Sequence, residues 1–348
     1  MMAGEPRIDQ GTALALSRAQ GCLLGQLAGD SLGSLVEFQS SEDIAFEYPS
    51  GVRELSRGGH WNTLAGQPTD DSELALMLAR SLVKEGAFDR KAITAAYVYW
   101  YQSAPFDIGN QTATALGAAA RGEQSEPPLI SQANGALMRV SPLGIFGHAV
   151  PHKVLADWAR SDAAITHPNA VCQDASAVFT VTIAHCVATS VDARDAYAFI
   201  NDWTRSEKLH PDILLSLDDS AGGPPPDYSS NMGWVRIALQ NAFYQLLHAQ
   251  SLEAGLIDTV RRGGDTDTNA AIAGALLGAV YGVGAVPTQW RECILACRPI
   301  KGLAGVYRPR PEPFWPVDAL ELAQRLLTTG EAFAKASQPV ISRIEEQP

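Results

Sequence analysis

Small residues recur along this chain at the period of a helix. Gly21, Gly25, Gly29 and Gly33 fall four apart, and Gly274, Gly278 and Gly282 repeat the spacing. In a helix such a repeat lays a smooth strip along one face, where a second backbone can approach closely. Leu74, Leu78 and Leu82 follow the same period with bulk. Segments 92–102, 174–187, 231–249 and 317–336 also carry helical patterning, and no set of alternating segments predicts strands. Pro- and Gly-rich stretches at 121–129, 218–231 and 308–316 predict loops. The middle one is long and acidic and reads as a mobile flap. The expected architecture is therefore all-α: one domain over residues 1–348, a compact orthogonal bundle of many short helices. Its core is expected to span about 17–336, with frayed ends and no interdomain linker.

Two uncharged runs, Ala175–Val191 and Ala270–Gln289, approach bilayer-spanning length. They are rich in Ala, Gly and Thr rather than Leu and Ile, and read as buried helices, so no membrane partner is expected. Composition narrows the rest. Hydrophobic residues make up 46 % and charged residues 18 % of 348 residues, which predicts a packed core. The formal net charge of −12 and the lack of a basic run speak against nucleic acid as a partner. The five cysteines have no strong metal spacing; Cys293 and Cys297, one helical turn apart, read as a buried face. Reduced thiols and an N-terminus without a secretory pattern point to the cytoplasm.

The chemistry lies where acids open two helices. In "TDDSELAL", Asp70 as N-cap with Glu73 three residues on fits a capping box, which leaves Asp71 unaccounted for. In "DTDTN" the alternating oxygens suggest an EF-hand, but Ala270 and Leu276 stand where that loop needs Gly and Glu. A reading that unites the segments brings Thr69, Asp70, Asp71, Asp265, Asp267 and Thr268 together as an all-oxygen cage for hard cations. That many carboxylates repel one another unless neutralised, and two ions suit the charge better than one. Both readings of the acidic starts stand at this point.

"GCLLGQLAGDSLGSLVEF", "TDDSELAL", "FDIGNQT", "NGALMR", "THPNAVCQDASA" and "GGDTDTNAAIAGALLGA" occur in this order, from about Ala19 to Gly284. Together they resemble the ADP-ribosylglycohydrolase family. The resemblance implies an all-α fold with two Mg²⁺ or Mn²⁺ ions at the base of a cleft, and removal of ADP-ribose from modified side chains. It places Thr69, Asp70, Asp71, Asp265, Asp267 and Thr268 as metal ligands, with Glu37 beside them. Asp107 falls at the scissile ribose, and either Asp107 or Glu37 carries the proton transfer. Asn134, Gly135, Ala136 and Met138 would line the diphosphate and ribose, where backbone N–H groups suit phosphate. His167, Tyr228 and Trp234 are substrate-contacting candidates, the two aromatics by stacking on adenine, although each could equally be packing. Gln111 departs from the Thr or Ser common in relatives, and the acidic flap is particular to this chain.

The expected activity is hydrolysis of ADP-ribosyl-arginine on a protein substrate, reversing an ADP-ribosyltransferase that is either a cellular regulator or a toxin. The acidic flap is expected to steer the guanidinium. Serine-linked or small-molecule ADP-ribosyl substrates are an alternative. An immunity or binding role, blocking a transferase by contact, is another.

Overall fold

The computed structural model describes residues 10–123 and 130–345, with side chains to residue 337. The expected loop at 121–129 lies largely outside these residues, as do the extreme ends. The first third of the chain forms α1 (Gln10–Gly33), α2 (Ser41–Glu47), α3 (Asp70–Glu85), α4 (Arg90–Gln102) and α5 (Asn110–Ala120). The middle forms α6 (Ser141–Phe146), α7 (His152–Ala163), α8 (Ala170–Thr189), α9 (Ala193–Ser206) and α10 (Pro211–Gly222). The last part forms α11 (Val235–His248), α12 (Leu252–Arg261), α13 (Thr266–Tyr281), α14 (Thr288–Ala296) and α15 (Ala319–Glu345). Among the described residues there is no strand beyond two isolated bridges, Gly58 with Thr63 and Ala133 with Trp234. The fold is all-α, as the periodicity predicts.

The two glycine strips meet each other. A Cβ added at Gly25 would collide with the Gly274 carbonyl, one at Gly21 with that of Gly278, and one at Gly29 with that of Ala270. The pairing runs in opposite directions along the two helices, so α1 and α13 lie antiparallel with backbones in contact. Nearly every residue of both helices in the contact region is buried. Their hydrophobic faces point all ways at once, which marks central helices rather than surface ones. The remaining helices pack around this pair into one core that includes Leu27, Phe146, Phe179, Phe243, Leu276 and Trp290. Leu74, Leu78 and Leu82 are all within it.

Helix α8 is the one described helix long and apolar enough to cross a membrane, but 83 % of its apolar window is buried inside the fold. Its hydropathy is used by the protein's own core. In the other uncharged run, the helix α13 is 16 residues long in all and ends at Tyr281.

Two expectations need correction. Helix α11 begins at Val235 rather than near Asn231, because 231–234 turn to place Trp234 opposite Ala133. The flap is also shorter than the composition suggests. Asp218 to Gly222 complete the last turn of α10, and the remainder is pinned by turns. Asp227 accepts from the N–H groups of Ser229 and Ser230, and Tyr228 is buried.

The strip contact generates a direct test. Gly25→Val should lower the unfolding free energy by about 3 kcal/mol through overpacking against Gly274. Gly284→Ala, with open space around it, should stay within about 0.5 kcal/mol of the parent. Urea unfolding of the two variants checks the difference.

Candidate active site

The antiparallel α1–α13 contact brings the end of α1 to the start of α13. Gly33 packs on the backbone of Thr266 and Asp267, and the Thr266 hydroxyl donates to the Gly33 carbonyl at 2.7 Å. Past α1, Glu37 therefore lands beside Asp265 and Asp267. The start of α3 arrives at the same place through Asp30, which is fully buried on α1. Asp30 accepts from the N–H groups of Thr69 and Ser72 and from the Thr69 hydroxyl. Asp70 and Asp71 then follow at the first turn of α3. Asp107 enters just before α5, in hydrogen-bond contact with Asp70. Ligand-capable oxygens of Glu37, Asp107 and Asp267 lie within 4.8 Å of one another.

These acids form the floor of a cleft of about 520 Å³. Glu37, Asp70, Asp107, Asp265 and Asp267 line it, and among the described residues no Lys or Arg does. Like charges in a buried place disfavour ionisation. Burial first, then the neighbouring carboxylates, pushes Asp107 up to about 11, and burial with the charge of Asp265 pushes Glu37 up to about 8. Asp71 and Asp267 are raised for the same reasons. Hydrogen-bond donors offset part of this: Trp61 Nε1 donates to Glu37 at 2.6 Å, Asn134 Nδ2 to Asp265 at 2.7 Å, and the Thr268 N–H to Asp267 at 2.9 Å. The Oδ1 atom of Asp71 remains buried with no hydrogen-bond partner. A dense set of hard oxygens, one of them orphaned, fits a divalent cation.

The opposite wall is neutral. Ser131, Ala133, Asn134, Gly135, Met138 and His167 line it. Leu137 and Met138 donate their N–H groups to the Asn134 carbonyl, whereas those of Gly135 and Ala136 have no protein acceptor among the described residues. Gly135 has no room for a side chain, since a Cβ would sit 2.9 Å from His167 Cε1. The loop is braced from the core by Arg139, which bonds Asp162 at 3.2 Å and the Thr166 hydroxyl at 2.8 Å, with Arg139 and Asp162 both fully buried. The same hydroxyl contacts His167 Nδ1 at 2.8 Å. Burial, then the charge of Arg139, holds His167 down at about 3, so a neutral imidazole faces the cleft.

The expected site residues thus separate into groups. Glu37, Asp70, Asp107, Asn134, Gly135, Met138, His167, Asp265, Asp267 and Thr268 share the cleft. Asp71 and Thr69 lie directly behind it, with the Thr69 hydroxyl 3.1 Å from Asp71 Oδ2. Ala136 is fully buried and does not line the cleft, which corrects its place among the wall residues. Tyr228 is a correction: it is 5 % exposed, its hydroxyl donates to Asn241, and it packs in the interior rather than against a ligand. Trp234 borders a side cavity that shares Ala133, Met232 and Gly233 with the cleft. Its Nε1 is held by Gln132, and the Arg236 guanidinium lies 4.9 Å from its ring. The capping box is also overturned. Thr69, not Asp70, is the N-cap, and Glu73 turns inward to Arg310 at 2.7 Å and Trp100 Nε1 at 2.7 Å. Of the flap, only Met232 and Gly233, just past its expected end, reach the cleft, and Asp218 and Asp219 are exposed on α10.

Sequence reasoning missed Asp30 and Trp61. Asp30 had a usable signal, because a lone acid in the glycine-striped half of α1 must be buried and must find donors. Trp61 had none, since its loop has no periodicity.

Comparison with known proteins bears on the family and the fold. The ADP-ribosylglycohydrolase family matches residues 11–320. The ADP-ribosyl-[dinitrogen reductase] glycohydrolase of Rhodospirillum rubrum is 32 % identical over 278 residues, covering 78 % of this chain and 88 % of its own. The ADP-ribosylarginine hydrolase Tri1 of Pseudomonas putida (strain GB-1) is 29 % identical over 323 residues, covering 89 % and 83 %. A solved structure described as an ADP-ribosylglycohydrolase-related protein complex superposes with a TM-score of 0.73 at 27 % identity, covering 91 % of this chain and 99 % of that one. With the acids of three helix starts gathered in one cleft and the family match running through all of them, the chain belongs to the ADP-ribosylglycohydrolases.

Proposed function

We propose that the protein hydrolyses the bond between ADP-ribose and a protein arginine, with two divalent cations, Mg²⁺ or Mn²⁺, in the acidic floor. The observation that carries this reading is a cleft whose floor is rich in carboxylates and whose far wall carries the unpaired backbone N–H of Gly135. The N–H group of Gly135 suits a diphosphate oxygen. The acidic floor suits a cationic acceptor. The names of the Rhodospirillum and Pseudomonas relatives point the same way. The natural counterpart is an ADP-ribosyltransferase, and five free cysteines suit a reducing cytoplasm.

Asp70, Asp71, Asp265 and Asp267, with the hydroxyls of Thr69 and Thr268, would hold the cations; Asp71 Oδ1 is the atom that lacks any other partner. Bound cations supply polarisation of ribose hydroxyls and a more acidic bound water. The protein's own groups do the rest. In hydrolysis the water oxygen bonds to the anomeric carbon, the carbon–nitrogen bond breaks, and the leaving guanidine nitrogen takes a proton. Burial and the neighbouring carboxylates push Asp107 up to about 11, so it keeps a proton, which suits donation to that nitrogen. Glu37, fixed by Trp61, is placed to accept the proton from water. His167, neutral and braced through Thr166, orients the ribose without adding charge.

Three outcomes follow. Arginine-linked ADP-ribose should be released at least tenfold faster than serine-linked ADP-ribose in the presence of Mg²⁺; equal rates would refute the acceptor assignment. Asp265→Ala and Asp71→Ala should each lower kcat by about 10³ or more while circular dichroism stays that of the parent. Near-normal turnover of either at saturating Mg²⁺, or calorimetry showing no divalent-cation binding to the parent, would sink the metal role.

The third concerns pH. The buried acids have folded pKa values above their ordinary 3.8 to 4.5. The folded state therefore keeps protons that the unfolded chain releases, and stability present below about pH 4 is lost as pH rises through 8 and beyond. Each proton kept only by the folded state contributes a slope of roughly 1.4 kcal/mol per pH unit. In EDTA, urea unfolding should show stability falling from pH 5 to pH 9, and saturating Mg²⁺ should flatten the fall. Asp267→Asn should flatten it without metal.

A further inference from the structure

One wall of the cleft is neither acidic nor part of the neutral loop. Phe38 and Trp61 line it beside Glu37. Phe38 is 49 % exposed, one of the few large apolar side chains left in water. It also holds a left-handed backbone, with φ of 67°, which a bulky residue rarely adopts. The strain is imposed from the catalytic loop: the Phe38 N–H donates to the Gly264 carbonyl at 2.9 Å, and the Gly264 N–H to the Gln39 carbonyl at 3.0 Å. Gly264 directly precedes Asp265. An exposed ring kept in a costly conformation by the acid-bearing loop is the pattern of a side chain held for a ligand.

The rings form a connected lip. Phe38 meets His60 edge-on at 4.8 Å, His60 meets Trp61 edge-on at 4.7 Å, and Trp61 leans on Phe106 at 5.8 Å. Trp61 is fixed at two points. Its Nε1 donates to Glu37, and its carbonyl accepts from Arg308 Nε at 2.8 Å. The Arg308 guanidinium lies 6.0 Å from the Trp61 ring but does not line the cleft, so it braces the ring and leaves the cleft side free. Flat π faces next to a carboxylate bind a planar cation by the ring quadrupole and by charge together.

We propose that Phe38 and Trp61 form the acceptor subsite, stacking the guanidinium of the modified arginine beside Glu37, and that Phe38 is a specificity-determining residue. The inference rests on the arginine-directed reading above and adds to it the residues that recognise the acceptor. The free ADP-ribose half of the substrate occupies the other wall, near Asn134 and Gly135, and does not need the lip.

Steady-state kinetics on ADP-ribosyl-arginine and calorimetric binding of free ADP-ribose, both with the full chain and Mg²⁺, test this. Phe38→Gly accepts the left-handed backbone without strain, so folding is not at issue. It should raise KM for ADP-ribosyl-arginine about tenfold, the size of a desolvated cation–π contact, and leave the Kd for ADP-ribose within about twofold. Trp61→Phe keeps a ring but loses the N–H to Glu37, and should lower kcat with little change in KM. An unchanged KM in Phe38→Gly, or an equal weakening of ADP-ribose, would overturn the lip as acceptor subsite. A parent protein that binds ADP-ribose yet never releases it from arginine would instead overturn the functional reading, and the inference with it.

Discussion

Everything at the site depends on two backbones touching. Where Gly21, Gly25 and Gly29 face Gly278, Gly274 and Ala270, the two helices have no side chain between them. Without that strip, bulk would hold the axes at the usual 8–10 Å or so. The acids at their ends would then stand too far apart to share one cleft. The contact also sets polarity. Being antiparallel, it places the C-terminal end of α1 against the N-terminal end of α13, and the latter carries partial positive charge. Helices α3 and α5 add their own N-termini around the same space. A group of buried carboxylates survives there because helix starts supply N–H donors, as with Thr69 and Ser72 on Asp30 and Thr268 on Asp267.

That compensation is deliberately incomplete in one physical sense. The donors reach Asp30, Glu37, Asp265 and Asp267, yet Asp71 Oδ1 is left without any. The nearest buried cations are committed elsewhere: Arg310 to Glu73 and Arg139 to Asp162, each within 3.2 Å. Both pairs lie under the site and stiffen its walls. Arg310 ties the segment before α15 to α3, and Arg139 ties the Asn134 loop to α7. These fixed positive charges thus serve the scaffold, and no Lys or Arg among the described residues lines the cleft.

What could be read from the chain followed periodicity and failed where periodicity ends. The glycine strips were legible because a four-residue repeat has one structural meaning in a helix, and "DTDTN" was legible because its acids open such a strip. Asp70 and Glu73 were misjudged as a capping box because their spacing satisfies one; only the tertiary partner Arg310 shows that Glu73 points inward. The flap was overextended for a related reason. Gly and Pro at 222–226 mark a loop, but the acids before them continue α10, and burial of Tyr228 against Asn241 is a tertiary contact with α11 that the composition of the loop does not announce. Phe38 and Trp61 were invisible because an exposed aromatic in an irregular loop has no periodic signature. Strain in a loop is a property of the folded chain.

The division of the cleft carries the functional argument one step further. Under the proposed reading, the cleft would hold an anionic diphosphate and a cationic acceptor at once. A Lys or Arg on the neutral wall would partly neutralise the carboxylates of the floor. The wall carries neutral groups instead: the backbone N–H of Gly135 and a His167 that burial keeps uncharged. On the other side, the Trp61 N–H reaches Glu37 while the ring stays in the wall. One residue thereby contributes both a ring to the cleft wall and a donor to a cleft carboxylate. In the proposed acceptor subsite, that arrangement would link acceptor choice to turnover without a separate moving element.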